Sequence, residues 1–136
     1  MVLEKFGDSV VDKIGKYVYR LIDPRNGETF YVGRGVGNRL FSHIRDELGS
    51  ESDADDDKLR RIREIRLAGF EVGHVVHRHG LSADAVKEVE AALIDAYPGL
   101  TNVLGGDYSN NRGVMHSSQI NEIYNAPTAV FEHKAL

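Results

Sequence analysis

Cysteine is absent from the 136-residue sequence, which excludes disulfide frameworks, thiolate metal sites and cysteine nucleophiles. Long hydrophobic runs are absent too, because no apolar stretch approaches the roughly 18 residues that a membrane helix needs. Residues 1–15 carry scattered acids and lysines in place of the uninterrupted apolar stretch of a secretory signal. We therefore expect a cytoplasmic protein that has no membrane partner.

A surplus of positive charge is also missing. The chain has 17 Lys and Arg residues against 21 Asp and Glu residues, and its formal net charge is -4. This balance excludes a histone-like protein that binds over a broad basic surface, so any contact with nucleic acid must be local. Basic residues do cluster in two segments: Arg34, Arg39 and Arg45, then Lys58, Arg60, Arg61, Arg63 and Arg66. Such runs are also typical of solvated helix faces, and both interpretations stay open.

The residues that are present favour a single globular domain. Hydrophobic residues make up 41% of the chain and charged residues 28%, which is the balance of a soluble globular protein. A length of 136 residues suffices for one domain with a core, but not comfortably for two. We expect residues 1–136 to form one domain, with a short leading helix within residues 1–15.

Two tyrosine-rich segments predict a β-hairpin. Residues 16–22 and 29–32 are rich in strand-forming residues, and Asp-Pro-Arg-Asn-Gly between them supplies the turn. Tyr19 and Tyr31 lie on opposite arms. Because side chains alternate along a strand, they share a face only if the numbers of paired residues sum to an even total. The glycine-rich residues 33–37 are predicted to break the second strand.

Helical periodicity and a third strand complete the fold prediction. Apolar residues recur at helical spacing over residues 37–48, 59–67, 82–97 and 117–124, and residues 70–76 resemble a strand. Ser82 is a suitable N-cap for the third of these helices. The order is strand, strand, helix, helix, strand, helix. It predicts an α+β fold, in which a small antiparallel three-stranded sheet is flanked by helices.

Three side chains have a functional as well as a structural interpretation. Glu90 falls in line with Val86 and Leu93, which places a carboxylate within the apolar face of its helix. It is either a structural ion-pair partner or a metal ligand. Arg39 and His43 lie one helical turn apart and could bind a phosphate together, or they could belong to an ordinary exposed face.

Taken in order, the motifs resemble those of the GIY-YIG nuclease family. YVY at 17–19 stands where the family has GIY, and YVG at 31–33 stands where it has YIG. GNRLFSH at 37–43 looks like the family's arginine helix. Glu90 and the later Asn102 look like its metal-binding glutamate and its downstream asparagine.

The resemblance covers about residues 16–106, which leaves residues 107–136 as a C-terminal extension. More narrowly, YVGRGVGNRLFSHI and LTNVLGGD are similar to the branch found in LEM-domain ankyrin-repeat nucleases. One departure is Tyr17, which replaces the first glycine of GIY and is expected to affect strand packing more than chemistry. No LEM, ankyrin or separate DNA-binding domain fits in this length, so target choice stays open.

The resemblance implies a metal-dependent endonuclease that hydrolyses phosphodiester bonds of DNA. Glu90 would bind a single Mg²⁺ or Mn²⁺ ion, and Arg39 would add positive charge at the phosphate. Tyr19 is the first candidate for the general base, with Tyr31 as its rival or positioning partner. His43 would support the phosphate. Further substrate contacts are expected from Gly33, Arg34, Asn38 and Asn102, the last of which would also orient its loop.

Two alternatives share these residues. One is a catalytically silent nucleic-acid-binding module that retains the fold, although the presence of the whole motif set weighs against it. The other is an RNA-cutting or toxin-like nuclease, which the motifs do not separate from a DNA enzyme. The sequence leaves the oligomeric state and the biological pathway open.

Overall fold

The computed structural model describes residues 3–49, 56–102 and 112–125 of the chain. The tyrosine-rich segments form the predicted antiparallel hairpin, whose strands are β1 (Lys16–Asp23) and β2 (Glu28–Gly35). The turn between them closes at Gly27, which has a left-handed φ of 76°. The loop predicted at 50–55, the sequence at 103–106 and the final ten residues lie outside the described ranges.

The prediction that the glycine-rich segment breaks the second strand is wrong for its first three residues. Gly33 and Gly35 remain in β2, because they pair with Tyr19 and Tyr17 of β1. The chain turns left-handed only at Gly37, where φ is 58°. Backbone pairing therefore outweighs the low strand preference of glycine at these positions.

A β-bulge at Phe30 sets the register at the open end of the hairpin. Beside the turn, Ile22 pairs with Thr29, which is an odd total. Beyond the bulge, Leu21 pairs with Tyr31, which is an even total. Without the extra residue the odd register would continue, and the tyrosines at 19 and 31 would point to opposite faces. The condition for a shared face is thus met, and the bulge is the reason.

The third strand, β3 (Gly73–Leu81), pairs with β1 and gives an antiparallel sheet of order β2-β1-β3. Its predicted bounds of 70–76 were wrong, since the strand begins later and runs five residues further. The ladder extends from Gly73 opposite Ile22 to Leu81 opposite Lys16. Residues 77–80 are polar and exposed, so they show no apolar alternation, yet pairing with β1 keeps them in the strand.

Helices flank the sheet in the predicted order, which confirms the α+β fold. The leading helix is shorter than predicted, and the segment at 37–48 splits into a 3₁₀ turn and a short α-helix. Ser82 caps its helix as predicted, accepting a hydrogen bond at Oγ from the Ala85 N–H at 3.1 Å. The helical elements are α1 (Asp8–Ile14), a 3₁₀ turn (Arg39–Phe41), α2 (Ser42–Leu48), α3 (Asp57–Leu67), α4 (Ala83–Ala96) and α5 (Ser117–Tyr124).

The sheet separates two apolar layers. Val18 and Val32 face α4 and pack with its residue Val86. On the opposite side, a larger cluster joins the hairpin to the 3₁₀ turn and α3; its members are Tyr17, Tyr19, Leu21, Phe30, Leu40, Phe41, Ile62, Ile65 and Val72. The tyrosines of β1 therefore belong to the core. In the part of the chain that the structure describes, no helix has the length and apolar character of a membrane span.

Most of the basic run at 58–66 forms ion pairs within the fold. The Nε atom of Arg61 lies 2.9 Å from an Asp23 carboxylate oxygen. Arg63 and Arg66 reach Glu47 at 3.2 and 2.7 Å. The side chains of both acids are only 1% exposed. A buried carboxylate needs a partner of opposite charge, and these arginines provide it. They therefore stabilise the fold and do not form a basic surface for nucleic acid.

Asp23→Asn is expected to lower the free energy of unfolding by about 2–3 kcal/mol, because a buried charge with guanidinium partners is lost. Hydrogen bonds, from Arg25 first and also from Arg61, keep the pKa of Asp23 well below its usual range. The stability that the carboxylate contributes is present above its unfolded pKa of about 3.9 and is lost as pH falls below that value. Urea unfolding at several pH values should show a smaller acid loss in the variant.

Glu28→Gln is the matched control, because Glu28 is the exposed second partner of the same Arg61. Its stability should stay within about 0.5 kcal/mol of the parent. Equal stability losses in the two variants would contradict the importance assigned to the buried pair.

Candidate active site

Tyr19 and Tyr31 meet on one face of the sheet, with their ring centroids 6.2 Å apart. Gly33 lies opposite Tyr19 in the register. A Cβ atom on this glycine would come within 2.6 Å of the Tyr19 hydroxyl oxygen, well inside van der Waals contact. Gly33 was predicted to bind substrate. In the structure it contacts the Tyr19 phenol, which occupies the space that a side chain at position 33 would fill.

His43 lies behind Tyr19. Its side chain is buried, at 2% exposure, and its Nε2 atom shares a hydrogen bond with the Tyr19 hydroxyl. Its Nδ1 atom is buried and has no hydrogen-bond partner in the ranges described. Burial is the main cause that lowers the pKa of His43 to about 3, so the ring is neutral at physiological pH.

Arg39 lies in the 3₁₀ turn and His43 in α2, which follows it directly. Burial, then the charges of Lys58 and Arg39, lower the pKa of His43. Arg39 is exposed, and in the described parts of the chain it forms no ion pair. Its charge nevertheless reaches the tyrosines, because it lowers the pKa of Tyr19 and of Tyr31.

Glu90 approaches the same phenols from α4. Its carboxylate is 15% exposed and lies 3.7 Å from the guanidinium of Arg34 on β2. After burial, the negative charge of Glu90 is the largest cause that raises the pKa of Tyr31, and it makes a smaller contribution to the raised pKa of Tyr19. The charges of Glu90 and Arg39 thus affect the pKa of both phenols in opposite directions.

Both phenols are protonated in the free protein. Burial raises the pKa of Tyr19 far above its usual value of about 10, and the neighbouring Tyr31 adds to the rise. Burial is also the main cause of the raised pKa of Tyr31, followed by the charge of Glu90. Arg39 opposes these effects without cancelling them. Neither tyrosine is a base until another positive charge comes close.

The donor set fits a hydrated Mg²⁺ or Mn²⁺ ion. Such ions are commonly bound by one or two carboxylates, with water in the other positions, and Glu90 supplies one partly exposed carboxylate beside the phenols. The described ranges contain no group of three or more His, Asp and Glu side chains that could bind a metal. Glu90 is thus the one carboxylate described here as a candidate ligand, and water would complete the coordination of such an ion.

The two asparagines predicted to contact substrate are used within the fold. Asn102 pairs its amide with the backbone of Val32: its Oδ1 accepts from the N–H at 3.2 Å, and its Nδ2 donates to the carbonyl at 2.8 Å. It thereby fixes the edge of β2 between Tyr31 and Gly33. The Oδ1 atom of Asn38 accepts a hydrogen bond from the Phe6 N–H at 2.7 Å, which ties the leading segment to the 3₁₀ turn.

Lys58 is a site neighbour that the sequence did not single out. Its Nζ atom lies 4.7 Å from the centre of the Tyr31 ring, a cation–π distance. After burial, its charge is the largest cause that lowers the pKa of His43. Asp56 caps α3, and its Oδ1 atom accepts a hydrogen bond from the Lys58 N–H at 2.8 Å, which fixes the backbone of Lys58. Ser82 caps α4 in the same way. The basic run at 58–66 contained the signal, but nothing in it separated Lys58 from the arginines that pair internally.

A three-stranded antiparallel sheet flanked by helices, whose β1–β2 hairpin brings two tyrosines together, is consistent with the GIY-YIG nuclease class. The family model described as the LEM-3-like GIY-YIG domain matches residues 16–125. The chain therefore belongs to the LEM-3-like branch of the GIY-YIG nucleases, as the motifs predicted. The match runs beyond residue 106 and includes α5. Comparisons with curated proteins and with solved structures gave no match.

We expect His43 to remain neutral from about pH 8 down to about pH 4.5, because burial holds its pKa near 3. The ¹⁵N resonances of its ring, recorded by NMR across this range, should stay those of a neutral imidazole. The folded pKa lies below the unfolded value of about 6.5, so this ring contributes stability above that pH that is lost as the pH falls. An imidazolium spectrum at pH 6 would show that the ring is not buried as described.

Proposed function

We propose that this protein is a metal-dependent endonuclease that hydrolyses phosphodiester bonds of DNA. One observation carries the proposal: Tyr19, Tyr31 and His43 pack together on one face of the sheet, and the Tyr19 hydroxyl shares a hydrogen bond with His43. The charges of Arg39 and Glu90 both affect the pKa of the two phenols, which agrees with this arrangement. Burying polar side chains costs free energy, and titratable groups with shifted pKa values are common at functional sites. The buried phenols beside Glu90 and Arg39 therefore favour a catalytic role over a purely structural one. Membership in a family of nucleases supports the same conclusion.

Phosphodiester hydrolysis needs positive charge at the phosphate, which Arg39 would supply directly and Glu90 only through a bound metal ion. Arg39 is exposed and permanently charged, and its planar fork of donors suits two phosphate oxygens. Glu90 would bind the metal ion. When bound, that ion polarises the phosphate and lowers the pKa of water and of nearby phenols. Arg34 lies 3.7 Å from Glu90 and would contact the phosphate backbone of the DNA strand that is cleaved.

Tyr19 is the general base in this proposal, and His43 is its partner. Once a nearby positive charge has lowered the pKa of Tyr19 and its phenol proton has passed to solvent, the Tyr19 oxygen would take one proton from the attacking water. The water oxygen then bonds to phosphorus as the bond to the leaving oxygen breaks, and the leaving oxygen takes a proton from solvent. The Nε2 atom of His43 shares a hydrogen bond with the Tyr19 oxygen, but a ring whose pKa is about 3 is too weak a base to take the phenol proton. The role proposed for His43 is therefore to orient the Tyr19 oxygen, in place of the phosphate support expected from sequence. Tyr31, which is less buried, would position the water.

Three of the residues predicted to contact substrate, Gly33, Asn38 and Asn102, are proposed instead to shape the site from within the protein. Gly33 makes room for the Tyr19 phenol, and Asn102 keeps β2 in place through its two hydrogen bonds to Val32. Asn38 anchors the turn that carries Arg39. We therefore infer that Arg34, Arg39 and Lys58 provide the direct contacts to nucleic acid, in agreement with a chain whose net charge is negative.

Glu90→Gln is expected to reduce Mg²⁺-dependent cleavage by about 100-fold or more, because the ligand charge is lost while the side-chain volume is kept. Nicking of supercoiled plasmid, with EDTA as a metal-free reference, measures the effect. Glu88→Gln is the matched control: it removes a carboxylate two residues away on the same helix, where Glu88 pairs with Arg112 on the surface at 2.9 Å. The control should cleave at the parental rate.

Full activity of the Glu90 variant would overturn the metal assignment. Plasmid binding without cleavage by the parent protein, at any Mg²⁺ or Mn²⁺ concentration, would favour the silent binding module. A panel of duplex, single-stranded, branched and RNA substrates then separates a DNA enzyme from an RNA-cutting nuclease: the proposal requires faster cleavage of at least one DNA substrate than of RNA.

Lys58→Gln is expected to weaken DNA binding similarly for all sequences and to reduce the slope of log affinity against log salt by about 0.9, the loss of one phosphate contact. Binding is measured by fluorescence anisotropy in the Glu90→Gln background, which prevents cleavage. Arg60→Gln is the control, because Arg60 lies two residues along α3, about 200° around the helix, and pairs with Asp57. A slope change as large in the control as in Lys58→Gln would mean that only general charge matters.

A further inference from the structure

Tyr17, which replaces a glycine of the family motif, makes its polar contacts to the segment that carries Arg39. The side chain is fully buried, at 0% exposure. Its hydroxyl donates a hydrogen bond to the Gly37 carbonyl at 2.8 Å and accepts one from the Leu40 N–H at 3.2 Å. These backbone groups lie on either side of Arg39. The phenol of β1 thus ties both ends of the turn that presents the guanidinium.

Gly35 completes this arrangement from the neighbouring strand. It pairs with Tyr17, and a Cβ atom at Gly35 would lie 2.8 Å from both the Cβ and the Cγ atoms of Arg39. The same Cβ atom would lie 3.4 Å from the Tyr17 hydroxyl. The stem of Arg39 therefore packs against bare backbone, and the hydroxyl holds the turn beside it.

Packing alone does not account for the hydroxyl group. A phenylalanine ring would fill the same core volume, and a buried hydroxyl must find partners to offset its desolvation. Both partners come from the Arg39 turn, whose residues lie about twenty positions along the chain. Gly37 adopts a left-handed φ of 58° at this point, so the chain reverses direction where the hydroxyl binds it.

We propose that Tyr17 is a positioning residue for catalysis, whose hydroxyl fixes the backbone on both sides of Arg39 and thereby limits where the guanidinium can lie relative to Tyr19 and Tyr31. The inference rests on the proposed nuclease function, because it assigns Arg39 to the scissile phosphate. Tyr17 itself does not touch substrate. It acts by limiting how far the arginine can move, and small displacements of a catalytic group have large kinetic costs.

Tyr17→Phe tests the proposal, because it removes the hydroxyl and keeps the ring. We expect kcat for plasmid cleavage to fall by about 10- to 100-fold with KM changed less than about twofold. In an Arg39→Ala background the same substitution should have almost no further effect, since the group being positioned is gone. Asp23→Asn, which lowers the free energy of unfolding through the buried ion pairs at the turn end of β1, is the control for stability and should retain the parental kcat.

A second measurement tests whether the Tyr17 hydroxyl fixes the Arg39 segment, and it does not depend on cleavage activity. In Tyr17→Phe, the Leu40 amide should exchange its hydrogen faster, and NMR relaxation of the Arg39 Nε–H group should show greater motion. An unchanged kcat, multiplicative effects of the two substitutions, or unchanged exchange and relaxation would overturn the inference. If the parent protein cleaves no substrate, the proposed function fails. The exchange and relaxation data then still decide whether the Tyr17 hydroxyl fixes the turn.

Discussion

The register of the β1–β2 hairpin is the constraint on which the candidate site depends. Side chains alternate along a strand, so a slip of one residue would send Tyr31 to the face that packs on α4. The bulge at Phe30 changes the register between the turn and the open end. Tyr19 can then lie over Gly33, where a side chain would collide with its hydroxyl. Pairing, bulge and glycine together place the two phenols side by side.

Electrostatics turns this shared face into a candidate reaction site. Burial keeps the phenols protonated and His43 neutral, so these three side chains carry no charge of their own. The charged side chains beside them include Glu90, which raises the pKa of Tyr19 and Tyr31, and Arg39, which lowers it. Most other arginines of the basic run are engaged with buried acids. A chain of net negative charge thus keeps its positive charge local, beside the tyrosines.

Local signals predicted the elements, and non-local pairing corrected their limits. The turn at 23–27, the Ser82 cap and the apolar periodicity are properties of short segments, and each was found where predicted. The ends of β2 and β3 were predicted poorly. Glycines and exposed polar residues carry little strand preference of their own, yet hydrogen bonds to β1 keep them extended.

The sequence by itself determined the chemistry available to this protein: two tyrosines on adjacent arms, a glycine-rich link to an arginine, and a carboxylate on an apolar helix face. The tertiary structure alone decided how these groups meet. The bulge at Phe30 puts Tyr19 and Tyr31 on one face, Arg39 is exposed while His43 is buried, and ion pairs within the fold distinguish the arginines of α3 from Lys58. Each outcome depends on contacts between residues distant in the chain. Spacing along the sequence carries residue type and period, but not which distant groups share a buried environment.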